Sequence, residues 1–501
     1  MPTNYYVSPS GSDSNNGLGP DPNHATNKPY ASIGKAVGSG GLPTAGDTVY
    51  IAPGVYRESV SVSVSGSSGS PIAILGDPGN AQGFKDGSGN LLSPGEVRVT
   101  SYTSGDTTAA PGQSVLVLNG RSYLNFANLF MVGGQPGSGG TGSIYIYNGA
   151  HDLAFTSCVI AHGMAMSNGY YLVSLQNTTG QTALNVTFDR CVFFAFVLNL
   201  LNITLTKMSA GGDYNSGVVV QNCMFHGGLN TINIGSTGTG SNLGGGVSIA
   251  NCTLTAAYNA AITVADSGIS TSLPVTVTNC ICGRNLTANT SGQLVEDYNW
   301  ITGRSNVSPG SNSTADGSQC LLIDVGQSSL WGQPFRLPWT PTVGSPQLGR
   351  GTASGTPTFD FQGRNRPEGG GSLSPAIGYL ERHDTAVQET AVTDSGSSIR
   401  IDGPGSHEFL IPVDATSTTI AVKCRYDTNH GTATPPQAIL PGEAEIGVSP
   451  QTVTASATTG SWLTLTFTAI TPTAKGVVRL ILVARPSAAN GKCYFDTVSV
   501  T

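Results

Sequence analysis

The strongest regularity in the chain is an alternation of apolar and polar positions that returns about every thirty residues. Five segments align without gaps: LAFTSCVIAHG, VTFDRCVFFAF, VVVQNCMFHGG, VSIANCTLTAA and VTVTNCICGRN, whose cysteines Cys158, Cys191, Cys223, Cys252 and Cys280 stand 28 to 33 residues apart. An earlier copy, YLNFANLFMVGG, carries Leu129 in the cysteine slot. Three positions before that slot stand Phe126, Phe155, Phe188, Val220, Ile249 and Val277; two positions after it stand Met131, Ile160, Phe193, Phe225, Leu254 and Cys282. Residues two apart on a strand share a face, so both columns are expected to point into one core. A repeat of this length with strand-type alternation predicts one solenoid coil per copy. The residue just before the slot is Asn128, Ser157, Arg190, Asn222, Asn251 and Asn279. A mostly asparagine column between two strands predicts a tight corner in the left-handed conformation.

A third strand precedes each copy, with Val117, Ile146, Val173, Ile203, Ile232 and Ile262 read as its inward column. Three strands per coil predict a three-sided parallel β-helix. The cysteines are then a stack of small buried thiols, a simpler reading than strained inter-coil disulfides or a row of metal ligands. From His383 the pattern changes to antiparallel alternation, in SIRIDGPGSHEFLIPV, TTIAVKCRYD, SWLTLTFTAI, GVVRLILVA and KCYFDTVSV, which predicts a β-sandwich.

Composition narrows the partners. Charged residues are only 10% of the 501, glycine numbers 67 and the net charge is −7. With no Lys/Arg cluster, nucleic acid is not an expected partner. No apolar run approaches the ~18 residues of a membrane span, and the opening MPTNYYVSPSGSD lacks the features of a signal peptide. Three origins fit: a cytoplasmic protein, a virion protein released by lysis, or a secreted protein whose leader has been removed.

The repeat resembles the right-handed parallel β-helix proteins of the pectin-lyase-like superfamily. YYVSPSGSDSNNGL, PYASIGKAVGSG and GDTVYIAPGVYRES are similar to that family's opening strand, capping helix and first coil, and FDFQGRNRPEGGGSLSPAIGYLE (Phe359 to Glu381) to an exit motif of bacterial β-helix proteins. The resemblance covers residues 4 to 384 and implies a helix near Tyr30 to Val37 that seals the open barrel end. The expected division is a β-helix over 1–384 (cap about 1–45, coils about 46–285, covering and exit segment about 286–384) and a sandwich over 385–501. SWLTLTFTAITPTAKGVVRL and the ending CYFDTVSVT resemble a carbohydrate-binding jelly-roll module.

Resemblance to pectate lyases and polygalacturonases raises a polysaccharide lyase or hydrolase. Hydrolysis of that kind needs two or three carboxylates converging on one face. The outward column of the third-strand face, read as Leu118, Tyr147, Ser174, Thr204, Asn233 and Thr263, holds no acid. The polygalacturonase NTD, DD, GHG and RIK signatures are missing, and no neighbouring coils stack carboxylates for calcium. The remaining catalytic candidates are Asp189 and Arg190 with His162 and His226, against a plain reading as a surface ion pair and two turn histidines. Asp13, Asn15 and Gly17 hint at a calcium loop without the acids to complete one, so no cofactor is expected and a turn is favoured. Tyr145, Tyr147, Asn202, Thr204, Thr231 and Asn233 offer aromatic plates with amides and hydroxyls, a means of gripping neutral sugars. The residue after each cysteine slot reads Phe130, Val159, Val192, Met224, Thr253 and Ile281, an apolar outward stripe that should not be left wet. It is expected to be covered, either by the segment around Leu286 to Thr342 or by other copies, with a trimer favoured. Trp331 and Trp339 are expected to anchor a covering loop. Two functions remain. The favoured one is a non-enzymatic surface or virion-associated fibre, spike or decoration protein that binds a neutral polysaccharide or cell-surface glycan, located on a virion or outside the cell. The other is a polysaccharide-cleaving enzyme.

Overall fold

The computed structural model describes residues 2–313 and 386–501, less the stretches 105–107, 110–113, 134–142, 162–170, 177–183, 196–198, 207–215, 229, 238–244, 256–258, 267–268, 390–397, 403–404, 414–415, 431–434, 441–447, 474–475 and 485–491. The chain divides into two compact units. The first is a parallel β-helix with three sheets of ten, nine and nine strands. In the clearest coil, His151–Thr156 belongs to the first sheet, Val159–Ala161 to the second and Tyr171–Gln176 to the third.

The columns expected from the cysteine-centred repeat are physical stacks. Phe126 pairs with Phe155, Phe155 with Phe188, Phe188 with Val220, Val220 with Ile249 and Ile249 with Val277. Met131, Ile160, Phe193, Phe225, Leu254 and Cys282 pair in the same unbroken way. Phe126 and Phe155 stack at 5.0 Å, as do Phe155 and Phe188, and Phe193 lies 4.3 Å from Phe225. Each fully buried ring of this kind contributes ~1.5–3 kcal/mol of transfer free energy. The corner residues Asn128, Ser157, Arg190, Asn222, Asn251 and Asn279 all have φ between 53 and 57°. The five thiols beside them are buried and free. Each donates to the carbonyl oxygen two residues earlier, at 3.1–3.5 Å. Burial pushes Cys158, Cys223 and Cys280 well above the ordinary thiol range, so they are packing groups.

The third sheet differs from expectation in register. Its strands carry two inward columns, Leu116–Ile144–Val173–Leu201–Ile232–Ile262–Leu286 and Leu118–Ile146–Leu175–Ile203–Ile234–Val264–Ala288. Val117 faces outward opposite Tyr145, and Leu118, expected outside, is in the core. Ile146 and Ile203 belong to the other column from Val173, Ile232 and Ile262. A slip of two positions keeps every side chain on its face, and the apolar run Leu116-Val117-Leu118 hides a slip of one.

The two ends of the solenoid are sealed differently. At the start, the helix Ile33–Val37, shorter than expected, buries Ile33, Ala36 and Val37 over the core. Its free N–H groups are met by side chains. Ser32 Oγ accepts from Lys35 N at 3.1 Å, and Glu58 accepts from Ile33 and Gly34 at 2.8 and 2.7 Å. Burial raises the Glu58 carboxyl above its ordinary range. At the far end the winding continues past the expected limit near residue 285, through Asn285–Ala288, Leu294–Asp297, Trp300–Ile301 and Arg304–Ser305. Leu286 is therefore a core residue, not the start of a covering segment. In this last coil polar groups take the inward slots: Glu296 follows Val277 and Arg304 follows Leu286. Arg304 lies 2.6 Å from Glu296, which also accepts from Asn299 and Gly310 at 2.9 and 2.8 Å and from the Ser313 hydroxyl. Asn299 stands in the cysteine slot and accepts from Cys280 N at 2.7 Å. Among the described residues the apolar stack thus ends on a polar cluster in which Glu296 is the shared acceptor, while Arg304 Nη2 and Trp300 Nε1 are buried without a hydrogen bond.

The second unit is antiparallel. One sheet orders Ala386–Glu389, Ser398–Asp402, Lys492–Val500, Ile420–Tyr426 and Leu463–Phe467; the other orders Gly405–Val413, Gly476–Ala484, Gln437–Leu440 and Gln451–Thr454. Its core includes Ile420, Val422, Leu465, Phe467, Leu480, Leu482 and Phe495.

Candidate functional site

The outer face of the third sheet gathers most of the groups suited to a neutral ligand. Tyr145, Ser174, Asn202, Asn233, Thr263 and Thr287 face outward in one register. Tyr145 and Tyr147, two apart on Ile144–Tyr147, lie with their rings parallel within 11° and 4.1 Å apart. Both are half-buried. Tyr145 donates its hydroxyl hydrogen to Gln176 Oε1 at 3.2 Å, and burial followed by the neighbouring Tyr147 raises its pKa. The pair is a fixed aromatic plate with a polar edge.

The next coils carry an amide ladder. Asn233 donates to Asn202 Oδ1 at 2.9 Å, Asn199 donates to the same oxygen at 3.2 Å, Asn202 donates to Thr204 Oγ1 at 2.9 Å and Asn230 donates to Asn199 Oδ1 at 3.1 Å. Asn202 is buried within the chain, and Thr231 is fully buried with its hydroxyl unbonded. Of the six candidate glycan contacts, Tyr145, Tyr147, Thr204 and Asn233 reach the surface. Asn202 and Thr231 do not: both are buried, although Thr204 and Asn233 on the same two strands are not.

Of the catalytic candidates, Asp189 and Arg190 are bonded to each other. Asp189 closes the first-sheet strand Val186–Asp189, and its oxygens are occupied: Arg190 Nε donates to Oδ2 at 2.9 Å, while Gln221 and Asn222 donate to Oδ1 at 3.2 and 2.9 Å. That arrangement clamps one corner to the next. His226 stands on the second sheet, buried and stacked on Phe194 at 5.3 Å with the planes 4° apart. His162, Trp331, Trp339, the covering segment up to Thr342 and the motif from Phe359 to Glu381 lie outside the described residues. Asp13 is also committed, accepting from Ala31 N, Ser32 N and Ser32 Oγ at 3.0, 2.9 and 2.8 Å. Among the described residues no group of three or more His, Cys, Asp or Glu is placed to hold a metal ion.

The apolar stripe is a real column, Phe130–Val159–Val192–Met224–Thr253–Ile281, continuing to Trp300. Val192, Met224, Thr253 and Ile281 are buried inside a single chain, so their covering does not require another copy. Phe130 and Val159 are half-buried, packed beside Tyr102, Val132 and Ala161, with the Arg98 guanidinium 4.9 Å from the Phe130 ring centre.

One constellation is absent from the sequence reading. Where the third sheet turns into the first, His151 Nδ1 lies 2.5 Å from Asp152 Oδ2, Asn185 donates to Asp152 Oδ1 at 3.0 Å, and the Tyr123 ring meets His151 edge-on at 5.5 Å. Tyr123, Asp152 and Asn185 have φ of 55, 53 and 47°, a second left-handed corner column. Its signal was an Asp and an Asn at equivalent corner positions one coil apart. The corner follows Tyr147 directly, through a turn in which Ala150 N donates to Tyr147 O at 3.2 Å.

No family model and no curated protein matches the sequence. Similar solved structures include a pectate lyase (15% identity, 76% of this chain and 97% of that chain, TM-score 0.43) and a rhamnogalacturonan lyase (16%, 60% and 74%, 0.38). A third is the tailspike protein of an Acinetobacter phage (11%, 91% and 81%, 0.30).

Proposed function

We propose that the protein is a non-enzymatic surface or virion-associated structural protein that presents a neutral-glycan-binding face on its β-helix. The observation that carries this reading is the parallel, half-buried Tyr145–Tyr147 pair on the third sheet. A pyranose ring stacks its C–H face on such a plate, Gln176 at the plate's edge orients it, and Thr204 and Asn233 on the next coils offer a hydroxyl and an amide to further sugar units. The partner is a neutral polysaccharide or cell-surface glycan, and a rigid stalk of this kind suits a fibre, spike or decoration protein acting as a homo-oligomer.

A second reading, a polysaccharide-cleaving enzyme, is favoured by His151. Asp152, itself held by Asn185, lies against Nδ1 of the imidazole, the arrangement that orients a general acid or base. Titration against a panel of neutral polysaccharides, followed by assays for new reducing and unsaturated ends, separates the two. Binding that Tyr147→Ala weakens by about tenfold, with no new chain ends, supports the binding protein. New ends that disappear on His151→Ala or Asp189→Ala overturn it.

A further inference from the structure

The sandwich buries two cysteines that the glycan-binding reading does not use. Cys424 lies in Ile420–Tyr426 and Cys493 in the adjacent antiparallel strand Lys492–Val500. The ladder pairs Cys424 with Phe495 and Tyr426 with Cys493, so the two cysteines sit diagonally across it on one face. Both are fully buried in the sandwich core. Their sulfurs are 3.7 Å apart, close to contact distance. We propose that Cys424 and Cys493 are a covalent modification site, a cross-strand disulfide that forms in oxidising surroundings.

The step balances with a small-molecule disulfide such as oxidised glutathione. One cysteine thiolate attacks it, the oxidant's S–S bond breaks and a thiol leaves. The second cysteine thiolate then attacks the mixed disulfide, forming the Sγ–Sγ bond and releasing the second thiol. The two cysteines lose two protons and two electrons, which the oxidant takes up. The sulfurs must approach by roughly 1.6 Å to reach bonding distance, which for a diagonal pair takes side-chain rotation and some adjustment of the strands. Burial pushes the Cys493 thiol well above its ordinary range and closes both sulfurs off from a dissolved oxidant. Exchange therefore takes place while the ladder is open, during folding. The cysteines stand 69 residues apart, and a loop of that length gives a cross-link substantial purchase on the unfolded chain. The link would pin the C-terminal strand, which lies between Ser398–Asp402 and Ile420–Tyr426, to its neighbour.

The test refolds the full chain in a buffer of oxidised and reduced glutathione, blocks remaining thiols with N-ethylmaleimide and maps peptides without reduction. The expected result is one cross-linked pair joining the Cys424 and Cys493 peptides, lost on reduction, with the sandwich melting roughly 10 °C higher in the oxidised form. Both cysteines recovered as blocked free thiols after oxidative refolding, or linked to other cysteines, would overturn the proposal. The comparison uses one unmutated chain in two redox states, so a folding defect in a cysteine variant does not enter.

Discussion

The second and third sheets wind on the same core, yet their outer faces are built on opposite principles. The second sheet turns Val192, Met224 and Ile281 outward and buries them under its own chain, with Phe194 and His226 stacked beside them. The third sheet turns Tyr145, Ser174, Asn202, Asn233 and Thr263 outward, and the buried ones accept from polar neighbours, Asn202 from Asn233 and Ser174 from Gln176. Strand alternation decides which residues leave the core; it does not decide whether they meet water. A covered apolar column gains from desolvation, whereas a covered polar column is stabilised where its donors find acceptors, as at Asn202, and destabilised where they do not, as at the unbonded Thr231 hydroxyl.

The sharpest way to break this comparison is to place one charge on each face. Met224→Lys buries an ammonium among apolar side chains and is expected to cost about 3 kcal/mol or more, or to prevent folding. Thr204→Lys, on a half-buried position of the third sheet, is expected to cost under ~1 kcal/mol. Urea unfolding of both variants measures the difference. Equal losses would mean that the two faces are not distinct in solution.

The ladder provides the next effect. Asn202→Ala removes the acceptor of both Asn199 and Asn233 and the donor to Thr204. Stranding those groups in a covered face is expected to cost ~1–3 kcal/mol. Asn202→Asp keeps the acceptor and adds a buried charge, so it should not restore stability. A loss below ~0.5 kcal/mol for the alanine variant would show that water reaches the ladder freely.

How far the sequence disclosed these faces depends on what marked each strand. The columns on either side of the cysteine slot were legible because a thiol and a left-handed asparagine fix the register coil after coil. The third sheet has no such marker. Its strands carry two apolar columns each and insertions separate them, so spacing alone placed Ile146 and Val173 in one stack when they belong to two. The last coil was missed for a related reason: Glu296, Asn299 and Arg304 occupy slots that were apolar or cysteine in earlier coils, and a polar plug reads as the end of a repeat. The His151–Asp152 corner was not anticipated, since two adjacent polar residues become a dyad only once a φ of 53° at Asp152 turns them together.

The tyrosine plate yields smaller, more specific effects. Tyr147→Ala removes one ring of the stacked pair on a half-buried surface and is expected to weaken glycan binding by about tenfold, near 1.4 kcal/mol. Tyr145→Phe is the finest probe. It keeps the ring 4.1 Å from Tyr147 and deletes only the hydroxyl that reaches Gln176. If stacking carries recognition, affinity should change by less than about threefold and stability by about 0.5 kcal/mol. If the hydroxyl–Gln176 bond instead orients the sugar, Tyr145→Phe should weaken binding as much as Gln176→Ala does. Calorimetric titration of the two variants against one polysaccharide decides whether this face recognises its partner by the ring or by its polar edge.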